Sequence, residues 1–115
     1  MIIKSKENAE HFIWGEICDG WHLVKTPTLS IIQERVSHGC SEVRHYHEKA
    51  EQYFFILSGE AEMEVDGKIN ILKRNQGIHI PAGIIHKLGN KSKEDLEFLV
   101  TSTPPSHGDR VLVEA

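Results

Sequence analysis

The chain contains 115 residues, of which 39% are hydrophobic and 26% are charged, and its formal net charge at pH 7 is −4. This size and composition predict one ordinary globular domain over residues 1–115. The mild negative charge argues against a nucleic-acid surface, and no apolar run approaches the roughly 18 residues of a membrane span. The N-terminus lacks the apolar segment of a signal peptide, and Cys18 and Cys40 lack the spacing of a disulfide scaffold. We therefore expect a cytoplasmic protein.

The first 22 residues are predicted to form an N-terminal extension outside a core at residues 29–103. Ser5 is placed to cap one or two helical turns within this extension. Trp14 and Trp21 lie close together in sequence. Because Trp buries a large area, the pair is predicted either to join the core or to cover one mouth of a barrel.

Short segments with the alternating pattern of β-strands follow one another along the rest of the chain. Asp66-Gly67 is a strong signal for a two-residue hairpin, and helical periodicity is nearly absent. Short strands separated by frequent turns are typical of a β-sandwich or a β-barrel. Residues 104–115 are predicted to form an irregular C-terminal tail. The predicted strands cover residues 21–25, 29–36, 53–57, 60–65, 68–73, 78–80, 86–89 and 96–101.

Alternation along a strand places every second side chain on the same face. By this parity Ser30, Ile32 and Glu34 share one face of the strand at residues 29–36. In the strand at residues 60–65, the three glutamates are predicted to face water and the apolar residues to face inward. The same parity predicts an apolar pocket wall formed by Phe54, Ile56, Met63 and Phe98.

The segment at residues 39–59 carries the most informative pattern. In an extended strand His45 and His47 project from the same side, about 7 Å apart along the backbone. Two neutral imidazoles on one face can bind a transition metal if further ligands converge on it. Glu51 and Gln52 offer oxygen ligands just downstream. The alternative is that both histidines are ordinary polar residues of a solvated strand, because so short a motif is weak evidence alone.

A second pattern appears further along the chain, as Pro-x-Gly-x-x-His-x-x-x-Asn. Pro81 ends one strand because it cannot donate a ladder hydrogen bond, and Gly83 permits a tight turn. His86 then begins the next predicted strand, and Asn90 follows that strand. A third imidazole is thereby added to the two of the first pattern.

Together the two patterns resemble the two sequence motifs of the cupin superfamily, over about residues 29–103. Eight of the ten motif positions match. The two departures are Gln52, where the family motif has Glu, and Asn75, where the second motif opens with Gly. The resemblance implies an all-β fold, the double-stranded β-helix or jelly-roll barrel of small single-domain cupins. The matching positions are Gly39, His45, His47, Gly59, Pro81, Gly83, His86 and Asn90.

Cupins bind their metal through the histidines of both motifs and the Glu of the first. The resemblance therefore implies a divalent transition metal, with Fe, Mn, Ni, Cu and Zn all compatible with imidazole and oxygen ligands. Gln52 is favoured over Glu51 as the oxygen ligand, since neighbouring residues of a strand face opposite ways. A histidine trio lining a metal-free polar pocket is the alternative. The implied ligands are His45, His47, Gln52 and His86.

Three functions are compatible with this resemblance, because a fold does not determine an activity. The first is a metal-dependent enzyme acting on a small molecule, with dioxygenase-like chemistry. The second is a non-catalytic module that holds a metal or a small ligand, and the third is a sugar-phosphate-isomerase-like enzyme. Because Gln52 cannot act as a base beside the metal, isomerisation is disfavoured. No particular catalytic residue is predicted.

The remaining histidines and the N-terminus complete the predictions. His79 is predicted to have an interface, solvent or pocket role. A homodimer is expected, because jelly rolls have strand edges that need covering and the N-terminal stretch is rich in apolar residues. The histidines predicted to lie on the surface are His11, His22, His38 and His107.

Overall fold

The structure is a computed structural model that describes residues 1–15 and 17–113. Within this part of the chain the regular secondary structure consists of β-strands, which confirms the all-β prediction. None of the described residues belongs to a helix that is long and apolar enough to cross a membrane. The strands are β1 (Glu10–Trp14), β2 (Cys18–Lys25), β3 (Ser30–Val36), β4 (His45–His47), β5 (Glu51–Ser58), β6 (Ala61–Val65), β7 (Lys68–Leu72), β8 (Gly77–Ile80), β9 (His86–Gly89), β10 (Leu96–Thr103) and β11 (Arg110–Leu112).

Two antiparallel sheets face each other and form the jelly-roll barrel. The larger sheet has the strand order β1-β2-β3-β10-β5-β8, and the smaller has the order β11-β4-β9-β6-β7. Neighbours in each sheet are mostly distant in sequence, which is why the two histidine patterns can meet. β4 and β9, which carry them, are adjacent strands of the smaller sheet.

The core lies between the inner faces of the two sheets. The predicted apolar wall is buried there as parity requires, since Phe54, Ile56, Met63 and Phe98 are almost inaccessible to solvent. The rings of Phe54 and Phe98 lie 5.7 Å apart between centroids. Truncating an aromatic residue in such a core typically costs about 3–5 kcal/mol of stability, so these contacts hold the sheets together.

The hairpin between β6 and β7 has the two-residue turn that Asp66-Gly67 predicts. Asp66 and Gly67 have φ values of 49° and 82°, and Val65 pairs with Lys68 across the turn. Positive φ at both central residues is the geometry of a type I′ turn, whose twist matches that of the strands. The Asp-Gly pair therefore sets the register of this hairpin.

The N-terminal region joins the barrel through β1 and β2. Before them, the amides of Asn8 and Ala9 donate to the carbonyl of Ser5, at 3.2 and 2.9 Å, and form a single turn. β1 is the edge strand of the larger sheet and pairs with β2 alone. Within the predicted C-terminal tail β11 pairs with β4, while residues 114–115 lie outside the described part.

Gly20 determines how closely β1 and β2 approach. A Cβ atom at this position would lie 2.2 Å from the ring of Phe12, its register partner on β1. Real Cβ contacts do not become so short. The missing side chain therefore provides the space in which the Phe12 ring packs over β2.

Candidate metal centre

His45 and His47 lie on β4 and point into the barrel, as alternation predicts. Their exposed fractions are 3% and 5%, while Tyr46 between them is only half-buried. β11 pairs with β4 on one side and β9 on the other, so this short strand is held between two neighbours. Both imidazoles are thus fixed on the inner face of the smaller sheet.

His86 lies directly across from His45 on the neighbouring strand β9, and its exposed fraction is 1%. One ring nitrogen from each of His45, His47 and His86 lies within 4.8 Å of the others. The ring centroids of His45 and His86 are 4.4 Å apart, and those of His45 and His47 are 5.0 Å apart. The topology therefore brings the histidines of both patterns into one cluster.

Backbone carbonyls orient two of the three rings. His45 Nδ1 lies 2.6 Å from the carbonyl oxygen of Val43, and His86 Nδ1 lies 2.9 Å from that of Ile84. Since a carbonyl oxygen only accepts, each Nδ1 carries the proton and each Nε2 keeps its lone pair. This is the tautomer needed for a ligand that binds a metal through Nε2.

Several buried polar atoms of the cluster have no hydrogen-bond partner in the structure. They include both ring nitrogens of His47 and Nε2 of His86. An unpaired buried polar atom is costly, and natural proteins rarely keep one without a function. Several such atoms at one place fit a bound ion, because a metal would satisfy lone pairs that no other group among residues 1–15 and 17–113 reaches.

Gln52 is the third side chain of this site with a buried polar atom that has no hydrogen-bond partner. It lies on β5 with an exposed fraction of 7%, and its Nε2 donates to Ser102 Oγ at 2.9 Å. That bond fixes the amide orientation and leaves Oε1 buried without a partner. Gln52 shares the inner face of β5 with Phe54, whose ring centroid lies 6.0 Å from that of His86.

Glu51, the alternative oxygen ligand, faces the other way. Its side chain is 56% exposed and its Oε1 lies 2.9 Å from His79 Nε2 on the outside of the barrel. No shift in strand register brings it inward, because β5 pairs continuously with β8 at this end. His79 is therefore an exposed outer-face residue.

Burial lowers the pKa of all three imidazoles, because desolvation disfavours their charged form. For His47 the effect is largest: burial, then the neighbouring His45 and His86, lower its pKa to about 4. At neutral pH all three rings are therefore uncharged. Uncharged imidazoles have the lone pairs that a transition metal requires.

Two acidic residues with raised pKa values were not singled out by the sequence. Burial, followed by the charge of Glu42, raises the pKa of Glu34 on β3 to about 8. Burial also raises the pKa of Glu42, while His86 opposes this effect. Neither residue belongs to a motif. Strand parity grouped Glu34 with Ser30 and Ile32 on one face and did not indicate which face points inward.

Among the other histidines, the prediction for His22 was wrong. It lies on β2 in register with Ile32, a residue that packs against the core. Its Nδ1 is buried without a hydrogen-bond partner, and burial lowers the pKa of the ring. The histidines that are exposed as predicted are His11, His38 and His107.

The sequence matches the family described as "Cupin domain" over residues 33–102. This is more than half of the chain, and it contains all four residues of the candidate metal centre. The chain belongs to the cupin family.

Comparisons with individual proteins agree with this assignment. The chain is 34% identical over 103 residues to a mannose-1-phosphate guanylyltransferase from Salmonella montevideo, covering 84% of the chain and 21% of that protein. The chain thus spans about a fifth of that relative's length. The polyketide cyclase RemF from Streptomyces resistomycificus superposes with a TM-score of 0.86 at 17% identity, over 100% of this chain and 87% of RemF. A sugar phosphate isomerase from Silicibacter pomeroyi superposes with a TM-score of 0.77 at 17% identity, over 86% of this chain and 73% of that protein. Such low identities show a shared fold alone.

Proposed function

We propose that the chain is a metal-dependent cupin that binds or transforms a small molecule. The observation that carries the proposal is the group of buried, unpartnered nitrogen and oxygen atoms inside the barrel. The ion would be a divalent transition metal such as Fe, Mn, Ni, Cu or Zn. When bound, it would supply a Lewis acid that polarises a ligand oxygen. The proposed ligands are His45, His47, Gln52 and His86.

The charge around the site favours an anionic ligand. All four proposed metal ligands are uncharged, so a divalent ion would keep its full charge. Arg110 on β11 is in register with His47 and has no carboxylate partner among the described residues. Burial is the main cause of the lowered pKa of His45 and His47, and Arg110 adds a smaller effect in the same direction, which Asp109 opposes at His47. A carboxylate or phosphate group on the small molecule suits this environment.

Two activities and one binding role fit such a site. The first is dioxygenase-like chemistry, in which the substrate binds at the metal. The second is isomerisation of a sugar phosphate, a class of compound to which the name of the relative from Salmonella montevideo refers. The third is non-catalytic binding of a small ligand or of the metal itself. All three require the same metal centre, so its occupancy is the first quantity to measure.

The test is calorimetric titration of metal-stripped, untagged protein with Zn²⁺ and Mn²⁺. We expect one ion per chain, no binding by H86A, and unchanged binding by H79A, an exposed histidine outside the cluster. Absence of binding in the wild type contradicts the proposal. Thermal shifts of the metal-loaded protein with sugar phosphates and with simple carboxylates, compared between the wild type and R110Q, then identify the ligand class.

We further propose that the protein is a cytoplasmic homodimer with neither a nucleic-acid nor a membrane partner. β1 is an exposed sheet edge, and the side chains of Ile2, Ile3 and Ile13 before and within it are exposed. An obligate two-fold interface there would bury about 2,000 Å² or more in total. Light scattering that gives the 13.1 kDa monomer mass contradicts the dimer. A dimer that survives deletion of residues 1–13 shows that another surface forms it.

A further inference from the structure

Two connections between the sheets run side by side next to the candidate metal centre. Residues 48–50 lead from β4 to β5, and residues 104–109 lead from β10 to β11. The strands at their ends are hydrogen-bonded neighbours, since β4 pairs with β11 and β5 pairs with β10. Both connections therefore join the same two sheets at the same end of the barrel.

The first connection lies between two of the proposed metal ligands. His47 is the last residue of β4, and Gln52 is the second residue of β5. The second connection lies level with both, because Arg110 pairs with His47 and Ser102 pairs with Gln52. The separation of a ligand on the smaller sheet from a ligand on the larger sheet thus depends on the path of residues 48–50.

The carboxylate of Asp109, in the second connection, binds the backbone of the first. Its Oδ1 accepts from the amide of Glu48 at 3.2 Å, and its Oδ2 accepts from the amide of Ala50 at 2.9 Å. The amide of Lys49 lies between them, 3.3 Å from Oδ1 and 3.0 Å from Oδ2. These three residues lie between strands, where ladder hydrogen bonds do not fix the backbone. One side chain therefore satisfies three consecutive amides.

Asp109 is itself well placed to hold this connection. Its own amide donates to the carbonyl of Ser106 at 3.0 Å, and β11 begins at the next residue. The Ala50 amide is the main cause of a lowered pKa at Asp109, so the group is a carboxylate at neutral pH. Hydrogen bonds to an ionised acceptor are stronger than those between neutral groups.

We propose that Asp109 is a positioning residue of the metal centre, which fixes the spacing between His47 on the smaller sheet and Gln52 on the larger one. The inference rests on the proposed function, because it concerns the ligands of the proposed ion. Asp109 contacts neither the ion nor a substrate and acts through the backbone of residues 48–50. It lies outside residues 33–102, which match the family, and outside both sequence motifs.

A purely structural role would have different consequences. A residue that only stabilises the fold lowers the unfolding temperature when it is changed, but the coordination geometry of the loaded protein stays the same. A positioning residue alters that geometry, and its effect depends on the ligand that it positions. The visible spectrum of bound Co²⁺ reports this geometry without any activity assay.

The first test compares D109N with the wild type by calorimetry with Zn²⁺ and by the absorption spectrum of the Co²⁺-loaded protein. D109N keeps the size of the side chain but places an NH₂ group against backbone donors. We expect Zn²⁺ affinity to fall about 10- to 100-fold and the Co²⁺ bands to change. The control is D95N, whose carboxylate precedes β10 at the end remote from Ser102 and lies 3.3 Å from Arg35. D95N should bind both ions like the wild type.

The second test repeats the substitution in Q52A. Because Asp109 is proposed to place Gln52 relative to His47, D109N should weaken Zn²⁺ binding by Q52A at most about threefold. Equal fold-losses in the two backgrounds overturn the inference, and so does folded D109N with the affinity and Co²⁺ spectrum of the wild type. If circular dichroism shows that D109N does not fold, D109E replaces it, since a longer carboxylate displaces the amides but keeps their acceptor.

The result for the unmodified chain separates this inference from the proposed function. If the wild type does not bind Zn²⁺, the proposed function is wrong and the inference fails with it. If the wild type binds one ion and D109N behaves like D95N, only the role of Asp109 is wrong.

Discussion

The two sheets contribute different chemistry to the same interior. The smaller sheet supplies three imidazoles, two of which are oriented by backbone carbonyls two residues before them. The larger sheet supplies oxygen atoms, from Gln52 and Glu34. Gln52 is oriented by a side chain, Ser102, and Glu34 has no partner at all among the described residues. Backbone groups thus orient two metal ligands of the smaller sheet, and a side chain orients the metal ligand of the larger sheet.

The difference between the sheets separates the residues suited to metal binding from the residue whose charge changes with pH. A metal centre needs ligands held in one geometry, and local backbone contacts provide that at little entropic cost. Glu34 differs from these ligands, because burial and the neighbouring Glu42 raise its pKa to about 8. The following predictions test this division, beginning with the largest expected effect.

Removing an imidazole from the smaller sheet should abolish metal binding. For H45A and H86A we expect a loss of affinity of about a thousandfold or more, because the remaining donors cannot complete the coordination sphere. The fold should survive with a modest loss of stability, since the apolar core lies elsewhere between the sheets. Calorimetry and thermal unfolding measure the two effects, with H79A as the matched control. Unfolding of the double variant at room temperature would show that the metal residues also hold the barrel together.

Changing the oxygen donor of the larger sheet should have a smaller effect in either direction. Q52E adds a negative charge beside the ion, and we expect metal affinity to rise about 10- to 100-fold. Q52A removes the donor and should lower affinity about tenfold. E51Q, on the exposed face of the same strand, is the control. If E51Q weakens binding more than Q52A does, the assignment of the oxygen ligand is incorrect.

The pH dependence of stability should differ between the sheets in the metal-free protein. The pKa of His47 is lowered from 6.5 to about 4, so the unfolded chain binds a proton that the folded chain excludes. The contribution of this residue to the free energy of unfolding is fully present above pH 6.5 and is lost as the pH drops towards 4. The pKa of Glu34 is raised from 4.5 to about 8, so the folded chain holds the extra proton. The contribution of this carboxyl group to the free energy of unfolding is fully present below pH 4.5 and is lost as the pH rises through 8.

Urea unfolding of E34Q and the wild type at pH 5 and pH 8.5 separates these effects. We expect the free energy of unfolding of E34Q, measured relative to that of the wild type, to rise by about 1–3 kcal/mol from pH 5 to pH 8.5. E48Q, which changes an exposed glutamate, should show no such gain. An equal difference between E34Q and the wild type at both pH values would mean that Glu34 ionises normally.

The smallest effect should come from the residue that only orients Gln52. S102A removes the hydroxyl that accepts from the Gln52 amide, at 2.9 Å in the structure. We expect metal affinity to fall several-fold, to at most about tenfold, as is usual for partners of metal ligands. S102T keeps a hydroxyl and should bind more nearly like the wild type. Equal binding by S102A and the wild type would show that this bond does not position the donor.

Much of the barrel could be predicted from the sequence because the relevant signals are local. Alternation identified the strands, Asp66-Gly67 identified a hairpin, and the two patterns around His45 and His86 predicted the histidine cluster. Strand parity was also sufficient to place Gln52 inside and Glu51 outside.

The environment of Glu34 could not be predicted in the same way. It depends on β10, which pairs with β3 although about 60 residues separate the paired positions, and on Glu42, which lies in the segment before β4. His22 was predicted to lie on the surface, but the pairing of β2 with β1 and β3 leaves it only half-exposed. Non-local pairing leaves no periodic signal beyond parity.

The space above Gly20 has a consequence for how quickly the interior exchanges with its surroundings. β1 is an edge strand that is held by a single ladder and by the Phe12 ring that occupies this space. Local opening draws on such elements first. Amide hydrogens of β1 should therefore exchange with solvent before those of β3 or β10, and a larger residue at position 20 should accelerate that exchange. Small molecules would then enter the barrel when this edge strand opens locally, without unfolding of the whole domain.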